Sequence, residues 1–198
     1  MEHTALTVAW VVLAYLLGSV PVGLLLSRRK GKDPRTVGSG NIGATNVMRA
    51  AGRTMGIVTL LGDILKGFLP TWLACCLGLA VPVVGVVGLS TFLGHLFPVY
   101  LRLKGGKGSA TTLGVLLAFN PLAALIDIAV FALIVVRWRY VSLGSLVCAA
   151  LMPVLLLCLQ APGSYVAFCT VMAVLIFVKH RANIGRLLAG RESRMGGE

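Results

Sequence analysis

Residues 109–136 read SATTLGVLLAFNPLAALIDIAVFALIVV, and the fold turns on whether this run is one long apolar helix or two short ones. Asn120-Pro121 lies near its middle, and proline disfavours helix in the residue before it. The distribution of charge decides. If the run breaks at Asn120, seven apolar segments result, near 4–26, 55–79, 83–101, 109–119, 121–136, 142–159 and 164–179. The basic residues of 28–53, 102–107, 137–139 and 179–194, seven, three, two and five in number, then share one side of a membrane. They are seventeen of the eighteen Lys and Arg, and only Lys66 falls inside a span. The links near 80–82, 120 and 160–163 carry none. As one long span, the run would send the last two clusters to the other side. Cytoplasmic loops collect Lys and Arg, so the expectation is an all-α polytopic membrane protein. It has seven transmembrane helices, its N-terminus outside and its C-terminus cytoplasmic.

Composition agrees. The 198 residues are 58% hydrophobic and 12% charged, whereas a soluble domain carries about a quarter charged residues. Each apolar run approaches the roughly 20 residues a span needs, or half of that where proline divides it. The first run has no basic flank before it and is followed at once by Arg28, Arg29, Lys30 and Lys32, which reads as an anchor rather than a cleaved signal. The formal net charge of +12 does not point to nucleic acid, because the aromatic-interleaved basic surface such binding uses is missing. Cys75, Cys76, Cys148, Cys158 and Cys169 all lie in apolar runs without a C-x-x-C, so packing is expected and no metal or cofactor. No internal repeat emerges, which argues against an inverted-repeat transporter.

The polar residues gather in three basic segments. The first reads Val37-Gly-Ser-Gly-Asn-Ile-Gly-Ala-Thr-Asn-Val-Met-Arg49. Gly38, Gly40 and Gly43 make a formal G-x-G-x-x-G, but a basic turn precedes it and Asp63, twenty residues on, lies in a span; a dinucleotide site requires a soluble βαβ unit. Ala44 stands where a P-loop needs Lys. What remains is a loop whose glycines let backbone N–H groups reach an anion, with Ser39, Asn41, Asn46 and Arg49 beside them. The second segment is Gly94-His-Leu-Phe-Pro98, followed by Lys104-Gly-Gly-Lys-Gly108 opening onto the next helix. A helix start offers free N–H donors, so Gly105, Gly106 and Gly108, with Lys104 and Lys107, suit a phosphate. His95, near the end of its span, is expected to be a hydrogen-bonded packing residue. In the third segment, Lys179-His-Arg-Ala-Asn183 through Glu192, His180 and Asn183 are one helical turn apart and can grip one ligand. Asp63 and Lys66, three apart in a span, should neutralise each other, and Asp127 should be a buried, hydrogen-bonded acid.

Together these segments resemble the acyl-phosphate-dependent glycerol-3-phosphate acyltransferase family of bacterial membranes. Gly38–Asn46 with Arg49, Gly94–Pro98 with Lys104–Gly108, and Lys179–Asn183 through Glu192 carry the likeness, in order and over nearly the whole chain. The resemblance implies a seven-span, N-terminus-out enzyme of the bacterial inner membrane, with one acyltransferase domain over 1–198. It implies that the acyl group of an acyl phosphate passes to the 1-hydroxyl of glycerol 3-phosphate, the first step of phospholipid synthesis. It places glycerol 3-phosphate against Ser39, Arg49, Lys107, His180 and Asn183, with a contribution from Ser145, and the donor phosphate on the Gly105–Gly108 backbone. A substrate phosphate would take the hydroxyl proton, and His180 is expected as a ligand rather than a base. Glu192 is expected to tie the C-terminal segment to the basic face. Soluble-type glycerolipid acyltransferases place Asp five residues after His; here Val8, Tyr100 and Gly185 follow His3, His95 and His180 at that distance. A monomer in the lipid bilayer is expected, without nucleic acid. The competing reading is a transporter or channel for a phosphorylated anion, against which stands the lack of a polar trail through the spans.

Overall fold

The computed structural model describes residues 2–196 as ten α-helices and two short 3-10 turns, with no strand among the described residues. The helices are α1 (Glu2–Ser19), α2 (Val22–Arg28), α3 (Ala44–Ala51), α4 (Arg53–Cys76) and α5 (Val81–Leu96). After them come α6 (Ser109–Phe119), α7 (Pro121–Trp138), α8 (Val141–Cys158), α9 (Gly163–Lys179) and α10 (Arg181–Leu188). Among the described residues, five stretches are long and apolar enough to cross a membrane: Ala5–Arg28, which joins α1 to α2, then α4, Val81–Leu101, α7 and α8. A sixth is α9 with α10, bent by 61° between them. The expectation of seven spans thus meets five full-length stretches and a bent pair. The shortfall lies in α6. Its eleven residues rise about 16 Å at 1.5 Å each, half of a hydrocarbon core of about 30 Å.

The break at Asn120 is real, and its chemistry is local. Asn120 Oδ1 accepts from Ala123 N–H at 3.0 Å, and Pro121 occupies the first turn of α7, where its missing N–H costs nothing. A second break, at Val20-Pro21, leaves Val20 O outside the regular ladder, and Lys66 Nζ donates to it at 3.0 Å. Lys66 Nζ also stands 2.9 Å from Asp63 Oδ1, so the expected neutralising pair forms. Asp127 departs from expectation. It is buried, but one carboxylate oxygen has no partner among the described residues, and its bond with Cys148 Sγ runs to its backbone carbonyl. The five cysteines are free thiols; Cys148 and Cys169 are buried as packing requires, Cys75 is half-buried, and Cys76 and Cys158 are exposed, contrary to the packing expected of them.

Lipid tails are as apolar as leucine, so membrane helices associate through close packing at small residues. The helix pair α4 and α6 does this reciprocally. A Cβ on Gly67 would strike Thr111 O, and one on Gly114 would strike Ile64 O. Helices α1 and α5 repeat the device, with Gly18 against Thr91 O and Gly94 against Tyr15 O. Phe92, Leu96, Val115, Leu116, Met152, Leu156, Met172 and Ile176 fill the interior between α5, α6, α8 and α9. Gly114→Leu should therefore prise α6 from α4. We expect thermal unfolding in detergent to show a loss of about 1–3 kcal/mol, the usual cost of overpacking. An unchanged melting temperature would mean that the two backbones are free to move apart.

Candidate functional site

The three basic segments meet at one end of the bundle, around a cavity of about 320 Å³. Ser39, Gly40 and Asn41 line it from the first segment, and Gly105, Gly106 and Lys107 from the second. From the third come Lys179, Arg181, Ala182, Asn183 and Arg186. Segments far apart in the chain thus form one cationic, glycine-rich hollow.

The first loop is built around Asn46, which is buried in the first turn of α3. Its Oδ1 accepts from Ser39 N–H at 3.0 Å, while its Nδ2 donates to Pro34 O at 2.6 Å and Asn41 O at 2.8 Å. Both amide hydrogens are used, so Asn46 shapes the loop and has none left to give a ligand. Asn46 was expected as a substrate contact; its amide hydrogens serve the loop instead. Gly38 and Gly40 take φ of 56° and 68°, a region that costs other residues energy, and so allow the loop to turn back over Asn46.

The second loop lies against the end of α5. Gly106 N–H donates to His95 O at 3.0 Å, so it is not free for an anion, contrary to expectation. Among the described residues no backbone acceptor meets the N–H groups of Lys107 and Gly108. Lys179 Nζ steadies the same corner, donating to Leu96 O at 3.1 Å and lying 4.3 Å from the centre of the Phe97 ring. Burial pushes the Lys107 ammonium down to a pKa of about 8, against the pull of Glu192.

A chain of polar groups runs from Lys107 into the C-terminal segment. Lys107 Nζ donates to Asn183 Oδ1 at 2.5 Å, and Asn183 Nδ2 donates to Glu192 Oε1 at 2.5 Å. Ser142 Oγ reaches the same Glu192 oxygen at 2.8 Å, and Arg186 Nε reaches Oε2 at 2.6 Å. A carboxylate only accepts, so Glu192 fixes which way the Asn183 amide faces. Burial raises the Glu192 pKa, but the hydrogen bonds from Asn183, Ser142 and Arg186 outweigh it and leave the group below its ordinary value. The segment beyond is strapped to the α7–α8 turn by Met195 N–H to Arg139 O at 2.6 Å and Arg139 Nε to Met195 O at 3.0 Å. Glu192 thus ties the segment to the basic face, as expected.

His180 sits at the bend between α9 and α10, 3% exposed. Its Nδ1 is 2.9 Å from Ile176 O. A carbonyl cannot donate, so Nδ1 carries the proton, and in the neutral ring Nε2 holds a lone pair. Burial, helped by the Lys107 charge, pushes the His180 pKa down to about 4. Near neutrality the ring therefore accepts through Nε2 and has no spare hydrogen for a phosphate.

Of the residues expected at the site, Ser39, Asn41, Gly105, Gly106, Lys107 and Asn183 line the cavity. Arg49, Lys104, Gly108, Ser145 and His180 stand outside its lining. Arg49 remains close enough to depress Lys107, and its side chain packs beside Gly38. Ser145 is buried on α8, while Ser142, one turn earlier, holds Glu192. Sequence reasoning did not assign Lys179, Arg186 or Ser142, nor the contact by which Glu192 orients the Asn183 amide. The signal for part of this was present: Ala182, Asn183 and Arg186 recur at one face of a helix.

The pH dependence follows from these groups. The ratio kcat/KM reports the free enzyme, so Lys107 should impose a fall as pH rises through about 8, where it loses its charge. Lys107→Arg, charged throughout, should move that limb upward. His180 is already neutral well above its pKa of about 4, so His180→Gln should leave any limb near pH 6 in place. Loss of that limb in His180→Gln would make the imidazole the titrating group.

The comparisons with known proteins agree with one another. The family model described as glycerol-3-phosphate acyltransferase matches residues 8–190. A glycerol-3-phosphate acyltransferase of Trichlorobacter lovleyi is 52% identical over 185 residues, covering 93% of this chain and 95% of its own. One from Geobacter sulfurreducens is 52% identical over 181 residues, covering 91% and 93%. Among solved structures, the glycerol 3-phosphate form of PlsY (YgiH), an integral membrane glycerol 3-phosphate acyltransferase, superimposes with a TM-score of 0.93 at 42% identity, covering 96% of each chain. Its lysophosphatidic acid form gives 0.88 at 40% identity, covering 96% and 95%.

Proposed function

Because this chain belongs to the glycerol-3-phosphate acyltransferase family, we propose that it takes its acyl group from an acyl phosphate, at the cytoplasmic end of a seven-span bundle. It is an integral membrane enzyme that acylates glycerol 3-phosphate and so serves phospholipid synthesis. The observation that carries the donor reading is the meeting of two anion-binding features in one cavity of about 320 Å³, at the end of an apolar bundle. One is the turn of Ser39 and Asn41 beside Asn183; the other is the Gly105–Gly108 loop opening onto α6.

The acceptor phosphate is held by Ser39, Arg49 and Lys107, with Asn41 and Asn183 beside it. His180 accepts a hydrogen bond from a glycerol hydroxyl through Nε2 and so aims it. The donor phosphate lies on the free N–H groups of the glycine loop, near Lys104, with its acyl chain among the helices. Ser145 supports the acceptor side from α8. The 1-hydroxyl oxygen then bonds to the acyl carbon, and the bond from that carbon to phosphate oxygen breaks. The hydroxyl proton leaves on the departing phosphate. Products are 1-acylglycerol 3-phosphate and inorganic phosphate. An acyl phosphate is already activated, so neutralising its charge and aligning the acceptor supply the catalysis without a covalent enzyme intermediate. The whole chain, 1–198, forms one domain and acts as a monomer in a bacterial inner membrane.

Purified protein in lipid vesicles should release phosphate when given palmitoyl phosphate and glycerol 3-phosphate together, and form the monoacyl product in equal amount. Turnover with an acyl thioester instead would overturn the donor assignment. Orientation has its own test. With the native cysteines replaced, Ala80→Cys and Gly163→Cys should react with an impermeant reagent added to intact cells, whereas Lys104→Cys and Arg139→Cys should not. Labelling of the Lys104 site from outside would sink the seven-span topology.

A further inference from the structure

Asp63 and Lys66 on α4 and His95 on α5 lie buried within the helices, off the cavity lining. Charged groups at such positions are expensive to keep and generally have a task. Asp63 Oδ1 meets Lys66 Nζ at 2.9 Å and lies 3.6 Å from His95 Nδ1, too far for a hydrogen bond. His95 Nδ1 has no partner among the described residues, so the expected hydrogen-bonded packing histidine is absent. Its contacts lie on its other side. His95 Nε2 fills the place that a Cβ on Gly106 would take. Its carbonyl oxygen blocks a Cβ on Gly105 and receives Gly106 N–H at 3.0 Å. His95 is therefore the floor of the glycine loop with both ring and main chain, and the Asp63–Lys66 pair stands behind the ring.

We propose that Asp63, Lys66 and His95 are positioning residues that set the height and direction of the Gly105–Gly108 loop for the donor phosphate. This rests on the reading that the loop holds that phosphate. The Lys66 ammonium is fixed at two points, Asp63 Oδ1 and Val20 O, so the carboxylate is held in one place. The carboxylate limits how far the imidazole can sink between α4 and α5. The imidazole limits how far Gly106 can sink. With Gly106 N–H committed to His95 O, the N–H groups of Lys107 and Gly108 remain for the anion, and their aim depends on the floor beneath. The glycines at 105 and 106 are thus required by the closeness of α5, and a methyl on either meets His95 before it meets a ligand.

The test separates the two substrates. In vesicles, wild type, His95→Ala, His95→Gln and the double variant Asp63→Asn/Lys66→Met are assayed with palmitoyl phosphate and glycerol 3-phosphate varied in turn. The double variant keeps the shapes and leaves no lone buried charge. His95→Ala should raise the KM for palmitoyl phosphate by roughly tenfold, the scale on which a small misplacement of a binding group is felt. The KM for glycerol 3-phosphate should stay within about twofold of wild type. His95→Gln, which refills the space, should recover most of the donor KM, and the double variant should shift it in the same direction as His95→Ala. If His95→Ala does not fold, His95→Gln and the double variant are compared with wild type, and a donor-selective shift in the double variant is still required. Unchanged KM values, a parallel rise in both, or a rise for the acceptor alone would each overturn the proposal. Failure of the donor reading itself would appear in the wild-type protein, as no turnover of palmitoyl phosphate.

Discussion

The arrangement of the site follows from the shortness of α6, whose eleven residues rise about 16 Å, half of a hydrocarbon core of about 30 Å. Its far end is pinned by the Asn120–Pro121 cap that starts the full-length α7. With α7 starting at the outer face, as the proposed seven-span topology has it, the near end of α6 and the glycine loop before it are recessed below the membrane surface. Irregular backbone survives there only where protein or a wet cavity satisfies its polar groups. The loop meets this condition through His95 O below, Lys179 nearby and the cavity above. The close seating of α6 on α4, glycine against carbonyl on both sides, keeps the short helix in place without a span's worth of lipid contact.

A recessed polar hollow suits a reaction between a greasy donor and a water-soluble acceptor. In the proposed reaction the acyl chain lies among the helices while its phosphate reaches the hollow from within. Glycerol 3-phosphate comes from the aqueous side. Most ionic side chains lining the hollow are cations, and Glu192 answers them from behind Asn183 rather than from the cavity wall. Its negative charge is engaged by Arg186, Asn183 and Ser142. The hollow thus stays attractive to phosphate while the amide that faces Lys107 is held in one orientation.

Much of the architecture was legible because charge and apolar length are one-dimensional signals. The break at Asn120 was readable from Pro121 together with the distribution of Lys and Arg, and the Asp63–Lys66 pair from a spacing of one turn. The three segments could be linked as one site by their shared chemistry and their shared side of the membrane. What could not be read was which atoms were already taken. Asn46 looks like a ligand in a string of glycines and amides, but its hydrogens go to Pro34 and Asn41. Gly106 looks open, but its N–H goes to His95. Hydrogen bonds between residues distant in the chain leave no periodic trace, and neither does the link from Lys107 through Asn183 to Glu192.

His180 shows how a taken atom changes chemistry. On sequence alone an imidazole near neutral pH is open to acting as acid, base or cation. Once Nδ1–H is committed to Ile176 O and the ring is buried beside the Lys107 ammonium, the cationic form is disfavoured and the neutral form has one free function, a lone pair. A lone pair repels a phosphate oxygen and welcomes a hydroxyl. In the proposed reaction, His180 is therefore matched to the alcohol end of glycerol 3-phosphate, and Lys107 and Arg49 to its phosphate. A ring that binds its second proton only near pH 4 is a poor store for a proton at neutrality. The departing inorganic phosphate is a stronger base than this buried ring and holds that proton more readily. The proposed reaction then needs no protein base: in it the imidazole aims the hydroxyl, and the leaving group carries the proton away.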